Sequence, residues 1–202
     1  VTRVKIELPK LLLVEGENDR RFFKALLGKL PTTGTIQVEP YGGKPDLKRF
    51  LRLLSISPNY QNIESIGVTR DADGSPSSAF QSVCGLLTSA GMDAPDEPIA
   101  STQGRPKISV FIFPDCTNAG MLETLCLSAV ELDPAMQCVE RFFQCLEESV
   151  NMPSRNPDKA RAHAFLASRP KPELRVGEAA DAGYWEFDSP VYDPVKSFLQ
   201  AL

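Results

Sequence analysis

Along the first half of this chain, short apolar runs alternate with amphipathic stretches of helical period. Residues 10–14, Lys10-Leu11-Leu12-Leu13-Val14, form a nearly continuous apolar run, the pattern of a strand buried on both faces. Residues 17–28 follow with Phe22, Phe23, Leu26 and Leu27 on one helical stripe. Residues 36–40 read as a second strand. Gly42-Gly43-Lys44-Pro45 then turns into a helix, with Leu47, Phe50, Leu51 and Leu54 recurring at helical spacing. Residues 63–70 read as a third strand. Ser75 and Pro76 open another helix, the serine as cap and the proline at its first position. That helix carries Phe80, Val83, Cys84 and Leu87 on one stripe. Ile108-Ser109-Val110-Phe111-Ile112-Phe113 reads as a fourth strand. The alternation predicts an α/β fold, a mainly parallel four-stranded sheet flanked by helices.

The second half changes character. Residues 91–107 are rich in Pro, Asp and Gly and predict a mobile loop. Beyond residue 120 no core strand is predicted. Helices are expected near 121–130, 135–150, 157–168 and 191–202, the last with Val195, Phe198, Leu199 and Leu202 on one stripe. The expected organisation is an α/β core over residues 1–119 and a helical extension over 120–202, packed on the same domain. No internal repeat interrupts it.

The chemistry concentrates where two strands stop. Leu13-Val14 runs into Glu15-Gly16-Glu17-Asn18-Asp19, and Gly67-Val68-Thr69-Arg70 runs into Asp71-Ala72-Asp73-Gly74. A carboxylate after such a strand lies at the carboxyl edge of the sheet, where open α/β folds bind ligands. Asp71 and Asp73 are two apart, so an extended backbone points both to one side. Three hard oxygen donors at one edge suit Mg2+, with Mn2+ as a substitute. The plainer reading is that each carboxylate serves the dipole of the helix after it.

These motifs resemble the Toprim domain of topoisomerases, primases and OLD-type nucleases. Val14-Glu15-Gly16-x-x-Asp19 looks like that family's opening signature, and Asp71-Ala72-Asp73-Gly74 looks like its acidic pair. Most of the chain is similar to small stand-alone Toprim-like proteins. The shared points are Gly42-Gly43-Lys44, Pro114-Asp115 with Gly120-Met121-Leu122-Glu123, and Tyr184-Trp185-x-Phe187. The resemblance implies that Glu15, Asp71 and Asp73 are catalytic and hold Mg2+, with Glu123 favoured over Asp115 to complete the shell. Asp19 reads either as a supporting residue that orients a ligand or a basic neighbour, or simply as a first-turn helix carboxylate. Lys159 matches, by position alone, a later-helix lysine of OLD-type nucleases; taken singly it reads as a surface lysine. No tyrosine-bearing topoisomerase domain and no flanking primase module accompanies the motifs, which leaves nuclease-like phosphodiester hydrolysis as the enzymatic reading.

Other features refine this picture. Gly43 and Lys44 before a helix can present N–H groups and an ammonium to a phosphate, or can form an ordinary turn. The Walker spacing is missing. Lys48, Arg49 and Arg52 follow on the same helix and read as a solvated face. His163, the sole histidine, has no nucleophile signature beside it. Trp185, Tyr184 and Phe187 read as packing. A net charge of −4 means that any nucleic-acid contact needs a local basic patch. Five cysteines without a Cys-x-x-Cys pair predict reduced thiols, mostly in the core, and favour the cytosol. No apolar run reaches the ~20 residues that span a bilayer. The amino terminus shows no signal pattern, and Val1 in place of methionine implies processing or trimming.

The expected function is a Mg2+-dependent phosphoryl-transfer enzyme, a nuclease acting on DNA or RNA. One alternative is a non-catalytic module that binds nucleic acid or a partner protein such as an ATPase. Another is a metal-dependent phosphatase, distinguished by a covalent aspartyl-phosphate.

Overall fold

A computed structural model describes residues 5–31, 34–150 and 154–202. Residues 1–4, part of the amino terminus read above for a signal pattern, lie outside the described residues. Four parallel strands, β1 (Lys10–Val14), β2 (Ile36–Pro40), β3 (Ser65–Asp71) and β4 (Lys107–Phe113), form one sheet in the order β2-β1-β3-β4. Helices α1 (Glu17–Leu27), α2 (Leu47–Ser55) and α3 (Pro76–Ser89) make the crossovers. After β4 the chain is helical: α4 (Leu122–Ala129), α5 (Pro134–Val150), α6 (Pro157–Ala167), α7 (Val176–Asp181) and α8 (Asp193–Ala201).

Because side chains alternate along a strand, the apolar runs feed two cores. Leu11 and Leu13 of β1, with Ile66, Val68, Ile108, Val110 and Ile112, pack against α2 and α3. Leu12 and Val14, with Phe111 and Phe113, pack against α1 and the helices after β4. On this second face the final helix lies close to the sheet. A Cβ at Gly67 would stand 2.9 Å from both Phe198 Cζ and Leu202 Cδ1. Ser65 Oγ donates to the Leu202 carbonyl at 2.6 Å. Only glycine at position 67 lets α8 come this near.

Several expectations change in detail. Helix α7 has no long apolar stripe, so periodicity does not predict it. It packs on α1 because Gly177 has no side chain there: a Cβ would lie 2.9 Å from Asn18 C and 3.0 Å from Arg21 Cβ. Residues 91–106 contain no helix or strand, and β4 begins at Lys107, yet the segment is tied to the outer edge of that strand. Ile99 N–H donates to Val110 O at 2.9 Å and Thr102 N–H to Ile108 O at 3.0 Å. These bonds cover backbone groups that an edge strand would otherwise leave open. The thiols are free, but they are not mostly core: Cys126 is buried, whereas Cys138 and Cys145 are exposed. The buried stripe of α5 runs through Met136, Val139 and Phe143, and both exposed cysteines fall off it. Among the described residues, no helix is long and apolar enough to cross a membrane.

Candidate functional site

The strand order decides where a site can form. From β1 the chain crosses to β2 on one side, then returns to place β3 on the other. The order therefore reverses between β1 and β3, and their carboxyl ends diverge into a crevice. Glu15 is the first residue after β1, and Asp71 is the last of β3. A cavity of about 410 Å³ opens there. Its walls carry four carboxylates, Glu15, Asp19, Asp71 and Glu123, together with Lys159 and the Gly42-Gly43 turn.

Each acid is placed by a different element. Asp19 belongs to the first turn of α1, entered through Gly16 with no side-chain cap. Glu123 lies in the first turn of α4 and is 6% exposed. Asp71 Oδ1 accepts the Leu122 N–H at 3.1 Å, so the end of β3 caps α4 rather than α3, the helix that follows it. Helix α3 is capped by Ser75, whose Oγ accepts the Ser78 N–H at 3.2 Å. Lys159 comes from α6, and its Nζ lies 3.8 Å from Glu123 Oε1. Helices α4 and α6 are also joined by a hydrogen bond from Thr124 Oγ1 to the Asp158 carboxylate.

Crowding acids in a half-buried cavity makes ionisation costly. Burial, then the charges of Asp19, Glu15 and Glu123, push Asp71 up to about 7, against the pull of the Leu122 N–H. Burial and the neighbouring Glu15 and Glu123 raise Asp19 to about 6, although hydrogen bonds from its own N–H and that of Gly16 act the other way. Glu15 is also raised by burial, partly offset by the Lys44 and Arg70 cations. Glu15 Oε2 is buried and has no hydrogen-bond partner. Such a group is expensive unless a proton or cation serves it.

Asp73 stands differently from expectation. The extended backbone ends before it: Asp73 has φ 51° and makes a two-bond bridge with Gly120. Its carboxylate pairs with Lys44 and is largely exposed; Asp73 does not line the cavity, although its charge is near enough to act on Glu15. The premise that an Asp-x-Asp on extended backbone aims both acids one way therefore fails. Long-range pairing to Gly120 turns the second residue into the left-handed region. Lys44 is correspondingly held by Asp73. The Gly42 and Gly43 N–H groups both donate to the Glu15 carbonyl, at 3.1 and 3.0 Å, and are not free for a phosphate.

The remaining residues divide cleanly. Asp115 does not line the cavity, and its carboxylate accepts four bonds from Thr117 and Asn118 of its own loop. These bonds outweigh burial and lower its pKa. Trp185 is buried, donates Nε1–H to Val176 O at 2.8 Å and stacks on Phe165, as packing requires. His163 lies on α6 in a separate groove between α5 and α6. Asn18 also lines the cavity; its Oδ1 accepts the Gly177 N–H at 2.8 Å, which fixes α7 there. The sequence offered no signal for Asn18, because its partner is 159 residues away. Among the described residues, no three histidine, cysteine, aspartate or glutamate side chains are grouped, as placed, to hold a metal ion.

Residues 9–202 match the family described as "Protein of unknown function (DUF3226)". No curated protein matches the chain. Among solved structures, the chain is similar to the C-terminal region of the OLD protein of Xanthomonas campestris pv. campestris. The TM-score is 0.51 at 16% sequence identity, over 96% of each chain.

Proposed function

Taking as premise that the chain belongs to the DUF3226 family, we propose that it is a Toprim-like, Mg2+-dependent nuclease hydrolysing phosphodiesters in DNA or RNA. One observation carries this reading. Four carboxylates and a lysine, from four elements and the turn after β1, converge on one cavity at the sheet's switch point. The likeness to the OLD C-terminal region supports the fold alone. The donor set fits a hard cation. All four acids are oxygen donors, two have pKa values raised toward neutrality, and Glu15 Oε2 has no partner. Glu15, Asp71 and Glu123 would hold the ion, with Asp19 beside them. Asp73, turned to Lys44, is not carried into this ligand set. When bound, the ion would polarise the phosphodiester and offset charge on the leaving oxygen.

The chain's own residues do the rest. The Glu15 carboxylate oxygen not engaged by the ion would take the proton of an attacking water. Lys159 offers its ammonium to a non-bridging phosphate oxygen from across the cavity. Leu122 N–H holds Asp71 in place, so the acid that ends β3 and the helix that bears Glu123 keep one register.

The test is cleavage of supercoiled plasmid, single-stranded DNA and RNA by purified protein, with Mg2+ or Mn2+ and with EDTA. Cleavage should require the metal. Asp71→Asn keeps the shape and the acceptor for Leu122 N–H, and should lower cleavage by about two powers of ten or more. Cleavage that persists in that variant overturns the reading. A second reading, a binding module without catalysis, is favoured by the absence, among the described residues, of a preformed three-residue metal group. Metal binding without cleavage of any substrate would support it.

A further inference from the structure

The surface beside the cavity is electrically lopsided. Residues 40–63 contain four cations and one acid, whereas residues 120–150 contain six acids and one cation. The four cations on the first side share one continuous helical path. Lys44 lies in a 3-10 turn, Lys44–Asp46, that leads into α2, which bears Lys48, Arg49 and Arg52. The turn begins at Gly43, a residue of the cavity wall. The buried positions of α2 are Leu47, Leu51 and Leu54, so the basic positions fall on its opposite, exposed side.

Charge pairing separates Lys44 from the rest. Lys44 is bound by Asp73, but no ion pair or hydrogen bond engages the side chains of Lys48, Arg49 or Arg52 among the described residues. Lys44, Lys48 and Lys48's successor one turn on, Arg52, recur four residues apart, about 6 Å per step along a helix. Helix α3, which packs beside α2, contains no charged residue, and its first turn exposes the hydroxyls of Ser77 and Ser78. No acid on α3 therefore competes for this surface. A ladder of unpaired cations flanked by hydroxyls fits a chain of phosphates better than any neutral or acidic partner.

We infer that the exposed face of α2 binds the phosphate backbone of a single nucleic-acid strand and leads it to the carboxylate cavity. This rests on the nuclease reading for what happens in the cavity, but not for binding. Lys48, Arg49 and Arg52 supply the contacts, and Lys44 marks the entrance. On the α4–α5 side, by contrast, Glu123, Glu140 and Asp133 are already paired with Lys159, Arg161 and Arg169, so the free cations lie on α2.

The experiment measures binding of a fluorescein-labelled 20-nucleotide single-stranded DNA by anisotropy, in EDTA, over a series of salt concentrations. The variant is Lys48→Gln with Arg49→Gln and Arg52→Gln, which leaves the buried leucines of α2 untouched. Its circular dichroism and Tm are recorded beside wild type. Affinity should fall about tenfold or more, and the log–log salt slope should become shallower by about 2, three contacts at ~0.7 each. A control removes the same charge elsewhere: Lys24→Gln with Lys29→Gln and Lys171→Gln, all exposed. Unchanged affinity and slope in the α2 variant overturn the inference, as does an equal loss in the control or an absence of binding by wild type. Binding that survives in Asp71→Asn while cleavage is lost keeps the two readings apart. Strong wild-type binding with no cleavage would sink the nuclease reading and leave this one standing.

Discussion

A single carboxylate pair shows how much one residue's setting decides. Asp71 and Asp19 are acids whose folded-state pKa values lie above the unfolded value of 3.8, at about 7 and about 6. The folded protein therefore keeps protons that the unfolded chain has released. The stability this provides is complete below the unfolded pKa and is lost as pH rises through the folded values. Metal-free protein should lose stability from about pH 4 to pH 7 and level off above, by roughly 4 kcal/mol from Asp71 and roughly 3 kcal/mol from Asp19. Asp71→Asn removes the charge and should raise stability at pH 8 by roughly 4 kcal/mol, with no gain at pH 4. Scanning calorimetry of both proteins in EDTA gives the comparison. A variant no more stable than wild type at pH 8 would show that Asp71 does not bear the repulsion. Saturating Mg2+ should erase the difference or reverse it, because the ion rewards the charged form.

At the scale of elements, short α7 matters more than its length suggests. It anchors the N-terminal turn of α1 through Gly177 N–H to Asn18 Oδ1, and Arg21 pairs with Glu178 at 3.0 Å. Gly177→Ala would press a methyl group onto the Asn18 backbone, which α1 cannot easily yield. The expected cost is about 2 kcal/mol, or about 4–8 °C in Tm. Thermal denaturation tests this, and an unchanged Tm would mean that α7 is free to shift. The sequence hid this helix because its six residues carry no repeating apolar stripe. The longer helices were legible, and their apolar residues are the buried ones: Phe22, Phe23, Leu26 and Leu27 in α1, and Val195, Phe198 and Leu199 in α8.

At the scale of the whole molecule, the chain end is part of the core. Phe198 is fully buried, its ring centroid 5.4 Å from that of Phe111 on β4, and it fills the space that Gly67 leaves on β3. Phe198→Ala should cost about 3–5 kcal/mol. Urea denaturation should show a lower midpoint at an unchanged slope. A loss below about 1 kcal/mol would mean that α8 is only loosely docked. The same face carries α1 and α4, whose first turns present Asp19 and Glu123, so α8 supports the site from a distance.

Local pattern alone determined the four strands, the main helices and the arrival of Glu15 and Asp71 at strand ends. Periodicity and buried apolar runs are properties of neighbouring residues, and the structure keeps them. Which carboxylates share a cavity was decided only by tertiary structure. Asp19 and Glu123 reach it because α1 and α4 begin at the same crevice, although 104 positions separate them along the chain. Asp73 pairs with Lys44 beside the cavity instead of lining it, and its backbone, hydrogen-bonded to Gly120, is left-handed. A side chain's direction at a turn follows from φ, and here φ is fixed by a partner from the other half of the fold.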